Sequence, residues 1–349
     1  MASTIVGVDI GRTTVRAAEL RYAAKGRPTL LRYGEVPLPE GAASRGEVLE
    51  PNTFAGTLKA LWKQHGFSSR NVVLGMGNQR VLARDLTVPR MSLRRIRESL
   101  PFTVQDMLPV PASEALLDFY PVSEAVTESG PVVNGLLIAA IKDAVLANVK
   151  AARLAGLNAL NVDLNPFALS RVMIGRQQVG GTRALIEIGA DTTCVLIATD
   201  GVPQFVRIIP TGGADLTRAL RTELDLDEAT AERIKVGLGL ASSVSSVEEQ
   251  RAVEIIYRVT SELLTSLRNT ITYFVNTRQP DAVDGIILTG GGASLLGLPD
   301  ALSEMTRLPV AMGDPLASLG LSRRLDADDL RRHRAGLSVA LGLALGTAS

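Results

Sequence analysis

One pattern of apolar and polar positions occurs twice along the chain. An apolar run reaches an acidic residue, an isoleucine and a glycine, continues into a pair of threonines, and leads into a second apolar run. The first copy begins at Val6 and the second at Ile186. Each copy predicts a β-hairpin with glycine in its turn, because glycine permits a tight backbone path there. The repetition predicts two halves of similar construction.

Strands and helices alternate in both halves. In the first half we predict strands at residues 29–37, 71–75, 81–88 and 132–140, and helices at residues 52–65 and 142–155. In the second half we predict strands at residues 204–209 and 285–288, and helices at residues 227–235 and 247–277. Such alternation is typical of helices packed on sheets. The predicted fold class is therefore α/β, with two lobes around one cleft.

Length and turn residues suggest where the lobes divide. At 349 residues the chain is too long for one small core. The Gly180-Gly181 pair predicts the boundary, which gives a first lobe at residues 1–179 and a second lobe at 180–330. A proline-punctuated segment of mixed pattern, at about residues 77–130, predicts a small insert in the first lobe. The apolar tail from Ala335 to Ala348, within a C-terminal segment at residues 331–349, predicts a buried helix.

Four glycine-rich turns are the candidate chemistry of this chain. Two are the hairpin turns at residues 9–14 and 187–193, and two stand at strand-to-helix junctions, Gly212-Gly213 and Gly290–Gly292. Backbone N–H groups at such turns and at helix N-termini bind phosphate. The sequence lacks both GxxxxGK[ST] and an early GxGxxG, so neither of those nucleotide-binding motifs applies. Asp9 and Asp191 are the carboxylates best placed to hold hydrated Mg²⁺.

Composition excludes several classes of function. Lys and Arg number 37 against 36 Asp and Glu, and aromatic residues are 4%, so no nucleic-acid partner is expected. The single cysteine excludes an internal disulfide and a cysteine-rich metal site. The N-terminus runs straight into a strand without a leader, and no apolar run reaches the ~20 residues of a membrane helix. Direct membrane insertion is therefore not expected.

The order and spacing of these motifs resemble those of the actin-like ATPase superfamily. Within it the chain is similar to the PilM family of type IV pilus assembly proteins, which are kin of the cell-division protein FtsA. The segments that carry the resemblance are VGVDIGRTTVRAAEL, IEIGADTT, TGGADLTRAL, LDEATAERIK, LLTSLRNTITYF and LTGGGASLLGLPDAL. The resemblance covers essentially the whole chain. It implies subdomains 1A and 2A, an FtsA-like 1C insert at about residues 77–130, subdomain 2B at about 222–275, and a C-terminal helix that returns to the first lobe.

The resemblance also implies a site for ATP and Mg²⁺. The implied first phosphate loop comprises Asp9, Gly11, Arg12, Thr13 and Thr14, and the second comprises Gly189, Asp191, Thr192 and Thr193. The implied ribose, adenosine and adenine contacts are Gly212, Gly213, Glu232, Lys235, Gly290, Gly291 and Gly292. Without the family, Glu232 and Lys235 read equally well as a solvated salt bridge on one helix face. Asp9 and Asp191 would hold Mg²⁺ through water.

Two positions depart from the pattern of the superfamily. Arg12 stands where a small residue is common, and its side chain would either clamp a phosphate or crowd it. Glu187 stands where more active members carry aspartate, and a carboxylate displaced by ~1 Å can lower a rate by on the order of 10²-fold. The catalytic candidates are Glu187 and Asp191, and we expect at most a slow ATPase.

The implied function is that of a cytoplasmic ATP-binding scaffold for pilus assembly. By resemblance, it would bind the cytoplasmic N-terminal peptide of a bitopic, PilN-like inner-membrane protein and so lie peripherally at that membrane. Other pilus assembly components are further expected partners, and a homo-oligomer stays open. The insert offers five arginines for partner contacts: Arg84, Arg90, Arg94, Arg95 and Arg97.

Two alternative functions stay open at this point. A sugar or acetate kinase would need a carboxylate base in the cleft, for which Glu114 and Asp118 are candidates by position only. An FtsA-like division protein would end in a detached amphipathic helix, whereas this C-terminal segment is apolar all round and has no basic face.

Overall fold

The computed structural model describes residues 3–22, 26–44, 46–278 and 282–346. The strands are β1 Ser3–Ile10, β2 Thr14–Tyr22, β3 Thr29–Pro37, β4 Ala43–Ser44, β5 Glu47–Val48, β6 Asn71–Met76, β7 Val81–Pro89, β8 Ala115–Thr127, β9 Gly130–Ile141, β10 Asn158–Leu164, β11 Thr182–Ile188, β12 Thr193–Thr199, β13 Val202–Ile209, β14 Gly285–Thr289, β15 Val310–Met312 and β16 Gly320–Leu321. The helices are α1 Pro51–His65, α2 Leu93–Thr103, α3 Lys142–Leu154, α4 Asn165–Ser170, α5 Gly213–Leu224, α6 Glu228–Leu238, α7 Val247–Thr277, α8 Leu298–Thr306, α9 Ala327–His333 and α10 Ser338–Ala344.

Each half is built on one sheet around one of the two predicted hairpins. The first sheet has six strands in the order β10-β6-β1-β2-β3-β16, and the second has five in the order β13-β12-β11-β14-β15. In each, the hairpin strands pair antiparallel, and the first of them also pairs with a parallel strand, β6 or β14. The predicted α/β class and the two hairpins are confirmed. Asp9 and Glu187 are the next-to-last residues of β1 and β11, so each hairpin turn lies at the carboxyl end of the equivalent strand.

A third sheet covers the segment predicted as an insert at about residues 77–130 and extends past that prediction to Ile141, the last residue of β9. Its strands follow the order β7-β9-β8, and helix α2 covers one face. The small core between them comprises Val88, Ile96, Leu100, Val104, Phe119, Val133 and Leu137. This unit also touches the second half, because Arg278 at the end of α7 forms an ion pair with Asp85 and donates to the Gln204 carbonyl oxygen at 3.0 Å.

Helix α7 connects two separate cores in the second half. Ser246 caps its N-terminus by accepting a hydrogen bond from the Glu249 amide at 3.1 Å. Its first turns pack with α5 and α6 through Ala252, Ile255 and Ile256. Its later turns pack beneath the five-stranded sheet through residues that include Leu263 and Leu267. The helix therefore passes from one core to the other at about its midpoint.

The C-terminal helix α10 lies inside the first half. Every residue from Ser338 to Ala344 is buried, and the helix packs on β1 and α4. The Tyr22 hydroxyl donates to the Ala344 carbonyl oxygen at 2.6 Å, which fixes the end of the helix to β2. Of the segment predicted as a C-terminal helix, α10 occupies Ser338–Ala344, and residues 347–349 lie outside the described ranges. Among the helices in those ranges, none has both the length and the apolar character needed to cross a membrane.

Candidate functional site

A cavity of about 750 Å³ lies between the two halves. Its walls come from the ends of β1 and β11, the start of α5, one side of α6 and the turn after β14. The predicted site residues that line it are Asp9, Arg12, Thr13, Glu187, Gly189, Gly212, Gly213, Glu232, Lys235, Gly290, Gly291 and Gly292. Its volume is that of a typical small-molecule site. All four glycine-rich turns therefore meet at one cavity, although they are far apart in sequence.

The remaining predicted residues shape the turns without lining the cavity. The Gly11 amide donates to the Thr14 carbonyl oxygen at 3.0 Å, and the Gly189 amide makes the same bond to Thr192 at 2.9 Å. The buried Thr193 hydroxyl donates to the Thr211 carbonyl oxygen at 2.7 Å. Gly11, Thr14, Thr192 and Thr193 thus hold the two turns in matching shapes.

Helix α5 begins against the second hairpin turn. The amides of Gly213 and Ala214 donate to the carbonyl oxygens of Gly189 and Ala190, at 2.9 and 2.8 Å. A Cβ atom on Gly212 would lie 2.5 Å from the Ala190 carbonyl oxygen, so this close approach requires glycine. Two of the first N–H groups of α5 are therefore already engaged and do not serve an anion.

The turn after β14 packs tightly on the end of β11. Gly290 has φ +91°, and a Cβ atom there would lie 2.4 Å from the Ile188 carbonyl oxygen. A Cβ atom on Gly292 would lie 2.4 Å from Ile188 Cγ2. In contrast, a Cβ atom on Gly291 meets no described atom within 4 Å, so Gly291 borders open cavity space. A short 3-10 turn at Gly291–Ser294 follows, and α8 begins only at Leu298.

Arg16 is a cavity residue that the sequence motifs did not indicate. It lies on β2 directly opposite Asp9, lines the cavity, and forms an ion pair with Glu35 at 2.9 Å. The second hairpin places Cys194 opposite Glu187 at the corresponding position. The sequence did contain a signal for Arg16. It stands two residues after the paired threonines, and the register of the hairpin places that position opposite Asp9.

The two acidic residues of the hairpins have raised pKa values. Burial raises the pKa of Glu187 to about 8, the nearby Asp9 carboxylate adds to the rise, and Arg16 opposes it. Burial also raises the pKa of Asp9, again against Arg16. Burial and the neighbouring Asp9 carboxylate thus both favour the protonated form of Glu187, and a protonated carboxyl does not act as a general base.

Arg12 joins the two halves across the cavity mouth. Its guanidinium donates to the Asp191 carboxylate at 3.1 Å and lies 3.9 Å from the Glu228 carboxylate at the start of α6. Asp191 does not line the cavity and is engaged by Arg12 instead. A water ligand of Mg²⁺ at Asp191 would therefore have to replace this ion pair, whereas Asp9 faces the cavity directly.

Glu232 and Lys235 form a hydrogen-bonded network at the wall of the cavity. Lys235 Nζ donates to Glu232 Oε2 at 2.7 Å and to the Gly213 carbonyl oxygen at 3.2 Å, and the Thr217 hydroxyl donates to the same carboxylate at 2.6 Å. Burial alone would raise the pKa of Glu232, but the bonds from Lys235 and Thr217 lower it overall. Glu232 and Lys235 thus form an ion pair in the wall of the cavity. Both hydrogen bonds use Glu232 Oε2, so Oε1 keeps its capacity to accept a hydrogen bond.

The fit to Mg²⁺ depends on what a ligand supplies. Within the described ranges no group of three or more His, Cys, Asp or Glu side chains is arranged to hold a metal ion. Asp9 lines the cavity with Arg16 opposite it on β2, and Arg12 and Lys235 line the same cavity. This arrangement fits Mg²⁺ carried by phosphate oxygens and water, because Mg²⁺ is usually held by one or two carboxylates and its phosphate ligand.

The kinase candidates and the insert arginines lie elsewhere. Neither Glu114 nor Asp118 lines the cavity, and Asp118 forms an ion pair with Arg97. Arg90 pairs with Glu124 at 3.2 Å and Arg94 with Glu98 at 2.9 Å. Three of the five arginines predicted for partner contacts are therefore matched by carboxylates of the insert itself.

The raised pKa of Glu187 predicts that the nucleotide-free protein loses stability as the pH rises from about 5 to about 8. The folded carboxyl keeps its proton to a higher pH than the unfolded chain, where Glu titrates near ~4.3. The stability contributed by this proton is complete below the unfolded pKa and is lost as pH rises through the folded pKa. Melting temperatures of the wild type and Glu187→Gln, measured across this window without nucleotide, should diverge steadily. Glu98 is an exposed residue of α2, and the melting temperature of the control variant Glu98→Gln should change with pH as that of the wild type does. Parallel curves for Glu187→Gln would contradict the prediction.

The sequence was compared with protein-family models and with curated proteins, and the two comparisons agree. The model of the family described as type IV pilus assembly protein PilM matches residues 7–348. Cell division protein FtsA of Neisseria meningitidis serogroup B is 27% identical over 191 residues, which are 49% of this chain and 45% of that protein. FtsA of Bacillus subtilis is 24% identical over 201 residues, 52% of this chain and 45% of that protein. The chain therefore spans less than half the length of these two curated relatives.

Solved structures agree with this result. A PilM-PilN type IV pilus biogenesis complex contains a chain with a TM-score of 0.86 and 27% identity, covering 99% of this chain and 98% of the other. MreB 5 of Spiroplasma citri bound to AMPPNP has a TM-score of 0.56 and 13% identity, covering 99% and 96%. The second likeness concerns the fold alone. The predicted actin-like ATPase fold is confirmed.

Proposed function

Because the chain belongs to the PilM family of type IV pilus assembly proteins, we propose that it is an ATP-binding scaffold of pilus assembly. Its proposed partner is the cytoplasmic N-terminal peptide of a PilN-like inner-membrane protein. The observation that carries the nucleotide part is the cavity of about 750 Å³ at which all four glycine-rich turns meet. Neither half alone supplies all four turns.

The lining of the cavity suggests how ATP would lie. The triphosphate would face the hairpin turns, where the guanidinium groups of Arg12 and Arg16 supply positive charge. The Thr13 backbone also lines the cavity there, whereas the Gly189 amide is already bonded to Thr192. The ribose and base would face α6 and the turn at Gly291. When bound, Mg²⁺ would neutralise phosphate charge beside Asp9, with Asp191 reached through water once Arg12 has turned to the phosphates.

The same geometry favours binding over turnover. Asp191 does not line the cavity and would meet the nucleotide only through water, and the side chain of Glu187 is one methylene longer than the aspartate of more active members. Neither proposed catalytic carboxylate is therefore well placed to activate water. We therefore propose hydrolysis well below the ~10 s⁻¹ of ordinary enzymes. The kinase alternative loses support because neither Glu114 nor Asp118 lines the cavity. The FtsA-like alternative has less support than the pilus assembly function, because the PilM family model matches residues 7–348 whereas the two FtsA relatives match 49% and 52% of the chain.

The partner is proposed from the family and from the related complex. In that complex PilM is paired with PilN, and its matching chain is covered over 98% of its length. A peptide of an inner-membrane protein would bring this chain to the cytoplasmic face of that membrane. The first half with its insert is the proposed docking region, as the family resemblance implies. Contacts with other pilus assembly components and self-association are compatible with this scaffold role.

We predict that the chain reaches membranes only through this partner. Expressed alone, it should stay in the supernatant after ultracentrifugation of a cell lysate. Co-expressed with the PilN-like protein, it should sediment with the membrane fraction, because the partner's tail supplies the attachment. The matched control is the same partner without its cytoplasmic N-terminal peptide, which should leave the chain in the supernatant. Sedimentation with membranes in the absence of the partner, or with the truncated partner, would contradict the proposal.

A further inference from the structure

Two arginines connect the two halves through ion pairs between residues far apart in sequence. Arg12 of the first half pairs with Asp191 of the second, and Arg278 of the second pairs with Asp85 of the insert. Neither Arg278 nor Asp85 lines the cavity, whereas Arg12 does. Arg12 therefore links the halves at the place where the nucleotide is proposed to bind.

Two carboxylates of the second half hold the Arg12 guanidinium. Its Nη1 group donates to Asp191 Oδ1 at 3.1 Å, and its Nη2 group lies 3.9 Å from Glu228 Oε1. The side chains of Arg12 and Asp191 are 31% and 15% exposed, so water and salt screen this pair less than a pair at the open surface. Glu228 is itself shared with Arg221, at 3.4 Å. Asp191 is thus the closer partner of Arg12.

Arg12 and Asp191 occupy equivalent places in the two hairpins. Arg12 stands two residues before β2, and Asp191 stands two residues before β12. Their ion pair therefore ties one hairpin turn directly to the other. Any change in the separation of the two turns must stretch or break it.

The phosphates of a nucleotide would compete with Asp191 for Arg12. A guanidinium binds phosphate through its fork of N–H groups, in the bidentate manner that it also uses for carboxylates. Arg12 lines the cavity and Asp191 does not. The fork cannot turn to a phosphate inside the cavity and also stay on a carboxylate outside it, so one partner is exchanged for the other.

We propose that the Arg12–Asp191 ion pair is an autoinhibitory clasp, which joins the two hairpin turns in the nucleotide-free protein and is opened when the phosphates displace Asp191 from Arg12. This rests on the proposed nucleotide function and adds a regulatory contact to it. The clasp stabilises the free protein and, for the same reason, opposes binding. Its loss therefore has two effects of opposite sign, a less stable free protein and a more favourable exchange with the ligand.

The test is a double-mutant cycle in the full chain, with Arg12→Ala, Asp191→Asn and the double variant. Titration calorimetry with ATP and Mg²⁺ gives the Kd of each protein. Asp191 is also proposed to meet Mg²⁺ through water, and the loss of that contact changes the affinity by the same factor with or without Arg12. The clasp acts only when Arg12 is present. The effect of Asp191→Asn on ATP affinity should therefore be about 3- to 10-fold more favourable in the wild-type background than in Arg12→Ala.

The second readout is the melting temperature without nucleotide. Asp191→Asn and Arg12→Ala should each lower it, because each breaks the same ion pair. The double variant should lower it no further than the larger of the two single changes, since the pair can be lost only once.

A matched control lies within the first half. Arg171 and Asp163 form an ion pair of almost the same exposure, 32% and 17%, and neither residue lines the cavity. Asp163→Asn should lower the melting temperature, as Asp191→Asn does, but leave ATP affinity unchanged with Arg12 present or absent. The control therefore separates a general loss of stability from the competition at Arg12.

The outcomes separate this proposal from the one on which it rests. If the wild type does not bind ATP, the nucleotide function fails and the clasp fails with it. If the wild type binds ATP and Asp191→Asn changes the affinity by the same factor in both backgrounds, only the clasp is overturned, because Arg12 then serves ligand and carboxylate independently. A melting temperature of nucleotide-free Asp191→Asn equal to that of the wild type would also overturn it, since the ion pair would not hold the halves together.

Discussion

We expect Gly291→Val to abolish ATP binding and leave the protein folded. A Cβ atom on Gly291 meets no described atom within 4 Å, so the protein itself accommodates the side chain. Because Gly291 lines the cavity, the added methyl groups project into space that the nucleotide would fill. The loss should exceed ~100-fold in affinity, or about 2.7 kcal/mol, since the ligand must be displaced from the turn. Gly290 and Gly292 are unsuitable for this test, because a side chain on either would strike Ile188.

The measurement is titration calorimetry with ATP and Mg²⁺, alongside thermal unfolding. Gly56→Val is the matched control, because a Cβ atom there also meets no described atom within 4 Å while the site lies on α1, away from the cavity lining. The control should bind ATP as the wild type does. Affinity of Gly291→Val within a few-fold of the wild type, with an unchanged melting temperature, would remove the turn after β14 from the proposed site.

Local patterns in the sequence predicted the elements from which the site is built. Helix α7 was predicted at residues 247–277 from its long amphipathic pattern and is found at Val247–Thr277. The two hairpins were predicted because an acidic residue, glycine and paired threonines interrupt apolar strands. A hairpin turn depends on residues that are adjacent in sequence, so it can be predicted without knowledge of the tertiary structure.

Contacts between distant residues could not be predicted in the same way. The ion pair of Arg12 with Asp191 depends on how the two halves approach each other. In the insert, the strand β8 at Ala115–Thr127 was not predicted, because most of its residues past Tyr120 are exposed. An edge strand with few buried positions gives little alternation of apolar and polar residues.

Helix α10 packs so closely on α4 that a side chain at Gly342 should lower the stability of the protein. We expect Gly342→Ala to destabilise the protein by about 3 kcal/mol or more, because overpacking of a core typically costs roughly 1–3 kcal/mol and a backbone clash belongs at or above the top of that range. A Cβ atom on Gly342 would lie 2.0 Å from the Ala168 carbonyl oxygen and 2.4 Å from its carbonyl carbon. Both atoms belong to the backbone, so no side-chain rotation relieves the overlap and the helices must separate.

Gly56→Ala provides the matched control for this prediction, because it makes the same change in a helix. A Cβ atom on Gly56 in α1 meets no described atom within 4 Å, so alanine there should stabilise by roughly 0.5–1 kcal/mol through the lower entropy of the unfolded chain. Urea unfolding followed by circular dichroism should therefore shift the midpoint in opposite directions for the two variants. Since α10 packs on β1, which ends at the first hairpin turn, Gly342→Ala should also weaken ATP binding. An unfolding midpoint for Gly342→Ala equal to that of the wild type would show that α10 does not pack against α4 at this distance.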